Sequence, residues 1–146
     1  MIPSKLNAIL EELKSIEDFQ TRMDYLIEFG ESFKEVPTNI KARPFGDNSK
    51  IPACESDAYV FSRLDDSGNM KYYFAVENPH GVSAKALAVI LDQGLSGEKP
   101  EAISQIPEEI VSDIFGKDLS MGKGVGLMGM IRLVKFLAER AIQLAP

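Results

Sequence analysis

Apolar side chains recur at intervals of three and four residues in two stretches near the start of the chain. This spacing is typical of amphipathic helices that bury one face. Ser4 and Asp18 precede the two stretches, and we expect them to act as N-caps because their side-chain oxygens can accept hydrogen bonds from free backbone amides. We therefore predict two helices that pack together as a hairpin. Their apolar positions are Leu6, Ile9, Leu10 and Leu13 in the first, and Phe19, Met23, Leu26, Phe29 and Phe33 in the second.

The pattern changes to alternation over residues 57–64, where Tyr59 and Phe61 fall on one side and Val60 on the other. A period of two indicates a β-strand. Residues 65–69 have turn composition, and residues 71–77 form a second strand-like stretch. We predict an antiparallel hairpin, which needs helices to cover it. Residues 36–52 contain three prolines and little periodicity, so we expect a long ordered loop there.

Helical periodicity returns after the hairpin. A wide apolar arc following Ser83, a candidate N-cap, predicts a central buried helix that ends at Gly94 and Gly97. Pro100 and Pro107 are expected near the first positions of two short helices. A last helix should begin near Lys123 or Gly124 and run to about Leu144. The order of elements predicts an α+β fold, with a small antiparallel sheet packed against N- and C-terminal helices in one domain, 1–146.

Composition narrows the classes of function. The chain has 146 residues and a formal net charge of -6, which disfavours nucleic acid and anionic membranes as partners. No apolar run approaches the ~20 residues that a membrane span needs, and the N-terminus lacks the pattern of a signal peptide. One cysteine cannot form an internal disulfide. We therefore expect a reducing, cytoplasmic setting.

Two glycine-rich patterns do not fit nucleotide sites. Residues 124–129 read G-x-G-x-x-G, but no clear strand precedes them and no acidic residue follows at about 20 positions, so close helix packing explains them better. Gly116 to Lys123 resembles a P-loop with the wrong spacing, and Gly124 stands where Ser or Thr is needed. One Cys and one His cannot build the usual zinc sites, so we expect no metal.

The single cysteine, Cys54, is the strongest chemical candidate. It follows the long loop and has Glu55 and Ser56 after it, a setting that fits a displayed thiol better than a mid-strand core residue. A buried, inert thiol is the alternative. A second alternative is a thiol hydrolase in which His80 acts as the base, although such a dyad also needs a third group to orient the histidine.

Three blocks of the sequence, taken together, resemble the SufE/CsdE family of sulfur-acceptor proteins. Ile51-Pro52-Ala53-Cys54-Glu55-Ser56-Asp57-Ala58-Tyr59-Val60 is similar to the family motif Val-x-Gly-Cys-x-Ser-x-Val-Trp. Residues 25–30 look like its Tyr-Leu-Ile-Glu-Leu-Gly helix, and residues 126–132 look like its Gly-Leu-x-x-Met-Ile-Arg segment. Lys85 and Leu87 fit the helix that follows the strands. Ala53 replaces the usual Gly, Tyr59 replaces Trp, and Lys123 replaces Arg.

The resemblance implies a SufE/NifU-like fold and a role as a carrier. Cys54 would accept persulfide sulfur from a SufS-type cysteine desulfurase, stimulate that enzyme and pass the sulfur to an Fe–S scaffold complex. Pyridoxal phosphate would belong to the desulfurase, so this chain would need no cofactor and would not be a free-standing enzyme. Ala53, Glu55, Ser56 and Lys123 would bind the partner or position the loop. An Fe–S scaffold-like protein remains an alternative, although it needs several cysteine ligands.

Overall fold

A computed structural model describes residues 1–52, 54, 56–116 and 121–145, without the side chains of 121–123. The described elements are α1 (Ser4–Lys14), α2 (Phe19–Glu31), a 3-10 turn (Asp47–Ser49), β1 (Ala58–Leu64), β2 (Met70–Val76), α3 (Val82–Leu95), α4 (Pro100–Ile103), α5 (Ile110–Phe115) and α6 (Met121–Leu144). The two strands form one antiparallel sheet, so the predicted α+β class is confirmed. Within the described residues, no helix is both long and apolar enough to cross a membrane.

Helix α3 lies at the centre of the core, as its wide apolar arc predicts, because nine of its residues are buried. Helices α1 and α2 both pack against α3 and make few contacts with each other, so the predicted helical hairpin is wrong. Helix α3 ends at Leu95, between Gly94 and Gly97, so the predicted end is confirmed. Gly94 is buried in the last turn of the helix, where an added Cβ would lie 2.8 Å from Leu6 Cβ. It therefore allows α1 to approach closely. Gly97, with φ 94°, lies just beyond the helix, as predicted.

Each face of the β-hairpin is covered by a different part of the chain. Val60 pairs with Phe74, and their face packs in the main core with the helices. The opposite face is covered by Val36, which packs on Phe61 and Ala75. The amide of Val36 donates to the carbonyl of Phe74 (2.9 Å). The predicted long loop is therefore an ordered cover over the sheet.

The helix starts were predicted less well than the helices. Asp18 caps α2 by accepting from the amide of Thr21 (2.9 Å), as expected. Ser4 lies inside α1, because Pro3 takes the N-cap position. Ser83 lies inside α3, because the first helical hydrogen bond runs from the amide of Lys85 to the carbonyl of Gly81 (3.0 Å). The N-cap predictions for Ser4 and Ser83 are therefore wrong.

The C-terminal helices also differ slightly from prediction. Pro100 occupies the start of α4, as expected. Pro107 precedes α5 by three residues, because residues 107–109 form a turn, so its predicted position is wrong. Helix α6 spans Met121–Leu144, close to the predicted range from Lys123 or Gly124 to about Leu144. The phenol of Tyr72 donates to the carbonyl of Val134 in this helix (2.8 Å), which ties the sheet to α6.

Candidate functional site

Cys54 lies in a short loop just before β1, partly buried and packed against the main core. The incoming chain is fixed by a hydrogen bond from the amide of Ile51 to the carbonyl of Ala58 (2.8 Å) and by a bridge between Lys50 and Tyr59. The carbonyl of Cys54 accepts from the amide of Asp57 (3.2 Å), which closes the turn. The thiol thus lies on a tight loop, as the sequence predicts, rather than in a strand.

The outgoing side of the loop is held by the sheet. The amides of Glu77 and Asn78 donate to the carbonyls of Asp57 and Ser56, each at 3.1 Å. Asp57 has φ 49°, a left-handed conformation that Asp tolerates better than most residues. Lys50 Nζ lies 3.2 Å from Asp57 Oδ1, and this hydrogen bond raises the pKa of Lys50. Both ends of the segment that carries Cys54 are therefore fixed.

Two glycines let neighbouring helices approach the loop closely. A Cβ on Gly81, at the start of α3, would lie 2.7 Å from Ser56 Oγ. A Cβ on Gly129, in α6, would lie 3.0 Å from Ile51 Cγ2. Gly129 is the last glycine of the G-x-G-x-x-G pattern, so the structure confirms close packing as its role. The part played by Gly81 was missed from the sequence, because its cause is a contact with a distant residue.

A cavity of about 320 Å³ opens beside Cys54. Cys54, Ser56 and His80 line it together with side chains of α2, α3 and α6. The apolar lining comes from Met23, Ile27, Val82, Ala84 and Leu127. Ile27 and Val82 are 39% and 43% exposed, so the cavity has an apolar rim that is open to solvent. Sequence reasoning missed this rim, since the periodicity of a helix does not show which neighbour it faces.

The structure brings together only some of the residues predicted for the site. Cys54 and Ser56 line the same cavity. Ala53, Glu55 and the side chain of Lys123 lie outside the described residues, so their predicted roles stay predictions. His80 lines the cavity but is exposed, and its described hydrogen bond runs from its backbone amide to Asn78 Oδ1 (2.9 Å). No described residue orients its imidazole. The described residues also contain no cluster of His, Cys, Asp or Glu that could hold a metal ion.

Comparison with known proteins relates the chain to SufE-like proteins. The sequence profile of the SufE family, described as an Fe-S metabolism associated domain, matches residues 7–138. SufE-like protein 1, chloroplastic/mitochondrial, of Arabidopsis thaliana is 26% identical over 92% of this chain, which spans about a third of that protein (34%). A SufE-like protein of Rhizobium meliloti (strain 1021) is 25% identical over 93% of this chain and 96% of its own length.

A solved structure shows the same fold. The solution structure of a hypothetical protein from Thermus thermophilus aligns with a TM-score of 0.74 and 24% sequence identity, covering 98% of this chain and 99% of that one. The resemblance inferred from the three sequence blocks is thereby confirmed: the chain belongs to the SufE family, whose domain is associated with Fe–S metabolism.

Proposed function

We propose that the protein accepts persulfide sulfur from a SufS-type cysteine desulfurase onto Cys54, stimulates that enzyme and delivers the sulfur to an Fe–S scaffold complex. Membership of the SufE family supports a role in Fe–S metabolism. The observation that carries the finer proposal is the position of the single cysteine. Cys54 lies on a loop fixed at both ends and lines a mainly apolar cavity that opens to solvent.

The chemistry of transfer requires only one thiol from this chain. The thiolate of Cys54 attacks the outer sulfur of the persulfide on the desulfurase, because the thiolate is the nucleophilic form. A sulfur–sulfur bond forms to Cys54 while the bond within the donor persulfide breaks, and the donor cysteine leaves as a thiolate that can take up a proton. No net oxidation occurs. A chain without a second cysteine cannot resolve the new persulfide into an internal disulfide.

The proposal assigns the protein a carrier role rather than an independent catalytic one. Pyridoxal phosphate belongs to the desulfurase, and this chain needs neither a cofactor nor a metal ion of its own. A reducing compartment such as the cytoplasm suits a free thiol. Ser56, at the cavity, positions the loop, and Ala53, Glu55 and Lys123 complete the partner-binding region in this proposal.

Replacing Cys54 tests the proposal. The protein is incubated with a cysteine desulfurase, free cysteine and pyridoxal phosphate, and its intact mass is measured before and after treatment with a reductant. We expect a reducible gain of one sulfur atom that Cys54→Ser abolishes, together with loss of desulfurase stimulation. Thermal unfolding of Cys54→Ser serves as the folding control. Full stimulation by a folded Cys54→Ser protein would contradict the carrier mechanism.

A thiol hydrolase is a second candidate, because His80 and Cys54 line the same cavity. The variant His80→Ala separates the two functions. The carrier should retain most of its sulfur acceptance, since no proton transfer by His80 is required. A hydrolase should lose about 100-fold or more in the rate of ester or amide cleavage when its general base is removed. Ester or amide cleavage that is lost in both Cys54→Ser and His80→Ala would favour the hydrolase.

A further inference from the structure

The outer edge of β1 is open at the end that lies farthest from Cys54. Hydrogen bonds from Glu77 to Asp57 (3.1 Å) and from Asp65 to Asn69 (2.8 Å) show that odd-numbered residues of β1 bond to β2. The backbone groups of Ser62 and Leu64 therefore point away from β2. Within the described part of the chain, no group bonds to their amides or carbonyls. These two residues form an unpaired strand edge.

The remaining sheet edges contrast with this one. The carbonyl of Phe74, on the outer edge of β2, accepts from Val36, and the carbonyl of Met70 accepts from Gly97 (2.7 Å). On β1, the carbonyl of Ala58 accepts from Ile51 (2.8 Å). The chain thus bonds several outward groups of the sheet, whereas those of Ser62 and Leu64 have no partner among the described residues. An uncovered edge offers a template for another strand.

A groove of about 610 Å³ lies along this open edge. Ser62 and Leu64 form one wall, and Leu137 and Ala141 of α6 provide an apolar surface opposite. Leu64 is 51% exposed, and Leu144, which also lines the groove, is 74% exposed. No residue lines both this groove and the cavity beside Cys54. At about 3.4 Å per residue, β1 separates the two sites by roughly 20 Å.

The charge of the groove is opposite to that of the protein. Arg63, Lys99 and Arg140 line it, against one carboxylate, Glu101, although the whole chain carries a net charge of -6. Among the described residues, none of the three cations pairs with a carboxylate. A single Arg on an edge strand could serve only to prevent aggregation through pairing with other strands. Three cations from β1, the start of α4 and α6 around one apolar groove instead favour an anionic ligand.

We propose that the groove binds an extended, acidic segment of a partner protein, which adds a strand to β1 beside Ser62 and Leu64. Side chains alternate along a strand, so one set of the segment's side chains would face α6, Lys99 and Arg140. The other set would face Arg63, which lies on the opposite face of β1 from Ser62 and Leu64. A second copy of this chain is a poor occupant, because edge-to-edge pairing would bring two Arg63 side chains together. A partner held here would leave Cys54 free to react elsewhere.

The experiment uses the full chain and the capped peptide acetyl-Glu-Val-Glu-Val-Glu-Val-Glu-amide. Binding to 15N-labelled protein is followed by NMR at low salt. We expect saturable shifts at Ser62 and Leu64, slower hydrogen exchange of their amides, and weaker binding as salt is added. Shifts centred on Ser56 and Leu127, or no saturation at millimolar peptide, would overturn the proposal.

Two modified peptides test strand addition without altering the protein. One carries N-methyl groups on the Val amides and the other on the Glu amides. Because only alternate amides of an added strand face its neighbour, one isomer should lose binding and the other should keep it. Equal binding of both isomers would show that the groove does not take a strand. A dimer of the chain by sedimentation, dispersed by the peptide, would show instead that the edge pairs with a second copy.

Charge reversal tests the role of the cations. We expect each of three variants to lower the affinity for the unmodified peptide by about five-fold at low salt, the size expected for one exposed ion pair. The variants are Arg63→Glu, Lys99→Glu and Arg140→Glu. Lys41→Glu is the matched control, since Lys41 is exposed but does not line the groove. Equal weakening by Lys41→Glu would show a general effect of net charge and overturn the role assigned to the groove.

Discussion

At the scale of the residue, Gly81 controls how closely the start of α3 approaches the loop of Cys54. A methyl group there would lie 2.7 Å from Ser56 Oγ and 3.0 Å from Val76 Cγ1. We expect Gly81→Ala to lower the free energy of unfolding by about 1–3 kcal/mol, as overpacking generally does, and to displace the loop. The displacement should change the rate at which iodoacetamide alkylates Cys54. Urea unfolding and alkylation kinetics measure the two effects.

Gly46→Ala provides the control for that substitution. Its added methyl group would meet the side-chain oxygen of Asn48 at 3.0 Å, a flexible group in the loop over the sheet. We expect little change in alkylation for this variant. In the double variant Gly81→Ala/Ser56→Gly, the clash with the serine is removed, so part of the lost stability should return. An alkylation rate that Gly81→Ala leaves unchanged would show that the contact does not position the thiol.

The role of a single residue could be predicted from the sequence where it depends on the residue's own chemistry or on local backbone geometry. Cys54 stood out because it is the only thiol, and Asp18 because an N-cap depends on local backbone geometry. The close contacts of Gly81 and Gly94 could not be predicted, because each is made with a residue far away in sequence. The predicted roles of Ser56 and of the residues around it stay predictions until transfer is measured.

At the scale of the element, periodicity predicts which face of a helix is buried but not what covers it. The apolar stripe of α1 was identified correctly, but that of α2 was wrong at Phe19, which is 60% exposed, and at Phe33, which lies beyond the end of the helix. Both helices pack on α3 rather than on each other. The pairing of the β-hairpin was easier to predict, because a turn between two alternating stretches indicates that the two strands pair with each other. The loop that covers the second face of the sheet has no periodicity, and its packing depends on Val36 and Phe45.

The contact between β2 and α6 makes stability depend on pH through Tyr72. Burial raises the pKa of its phenol above the ordinary value of about 10. Above pH ~10, the unfolded chain releases this proton while the folded protein keeps it, so the free energy of unfolding should fall as pH rises. Tyr72→Phe should remove the contribution of Tyr72 to this fall, which is at most about 1.4 kcal/mol per pH unit. Urea unfolding between about pH 9.5 and 11.5 measures it.

Tyr72→Phe should also cost about 1 kcal/mol at neutral pH, because the hydrogen bond to the carbonyl of Val134 is lost. Tyr73→Phe is the matched control, since Tyr73 lies on the opposite face of β2, beside the loop over the sheet. An alkaline slope that is the same in the wild type and Tyr72→Phe would mean that the phenol is not held neutral by the fold.

At the scale of the whole molecule, three distant parts of the chain meet at the loop of Cys54. Helix α2, the start of α3 and helix α6 each contribute side chains to the cavity beside the thiol. The three blocks of sequence that resemble the family lie on or next to these elements, which explains why the resemblance located the site although the shape of the cavity was not predictable. We expect a large partner that reaches Cys54 to contact the exposed rim formed by Ile27 and Val82.

A substitution in this rim can separate the docking of the desulfurase from the reactivity of the Cys54 thiol. The double variant Ile27→Gln/Val82→Gln removes exposed apolar surface without adding charge near Cys54. We expect sulfur transfer from the desulfurase to fall about ten-fold, in line with the loss of roughly 1.4 kcal/mol of interface energy. Alkylation of Cys54 by iodoacetamide should be nearly unchanged, because a small reagent needs no docking surface.

Phe136→Gln is the control for the rim, because Phe136 is 50% exposed on α6 and does not line the cavity. Its transfer rate should match that of the wild type. Equal losses in transfer and in alkylation for the rim variant would indicate damage to the loop rather than to docking. Unchanged transfer in the rim variant would mean that the desulfurase approaches Cys54 from another side, since a docked interface buries its apolar anchors at the centre.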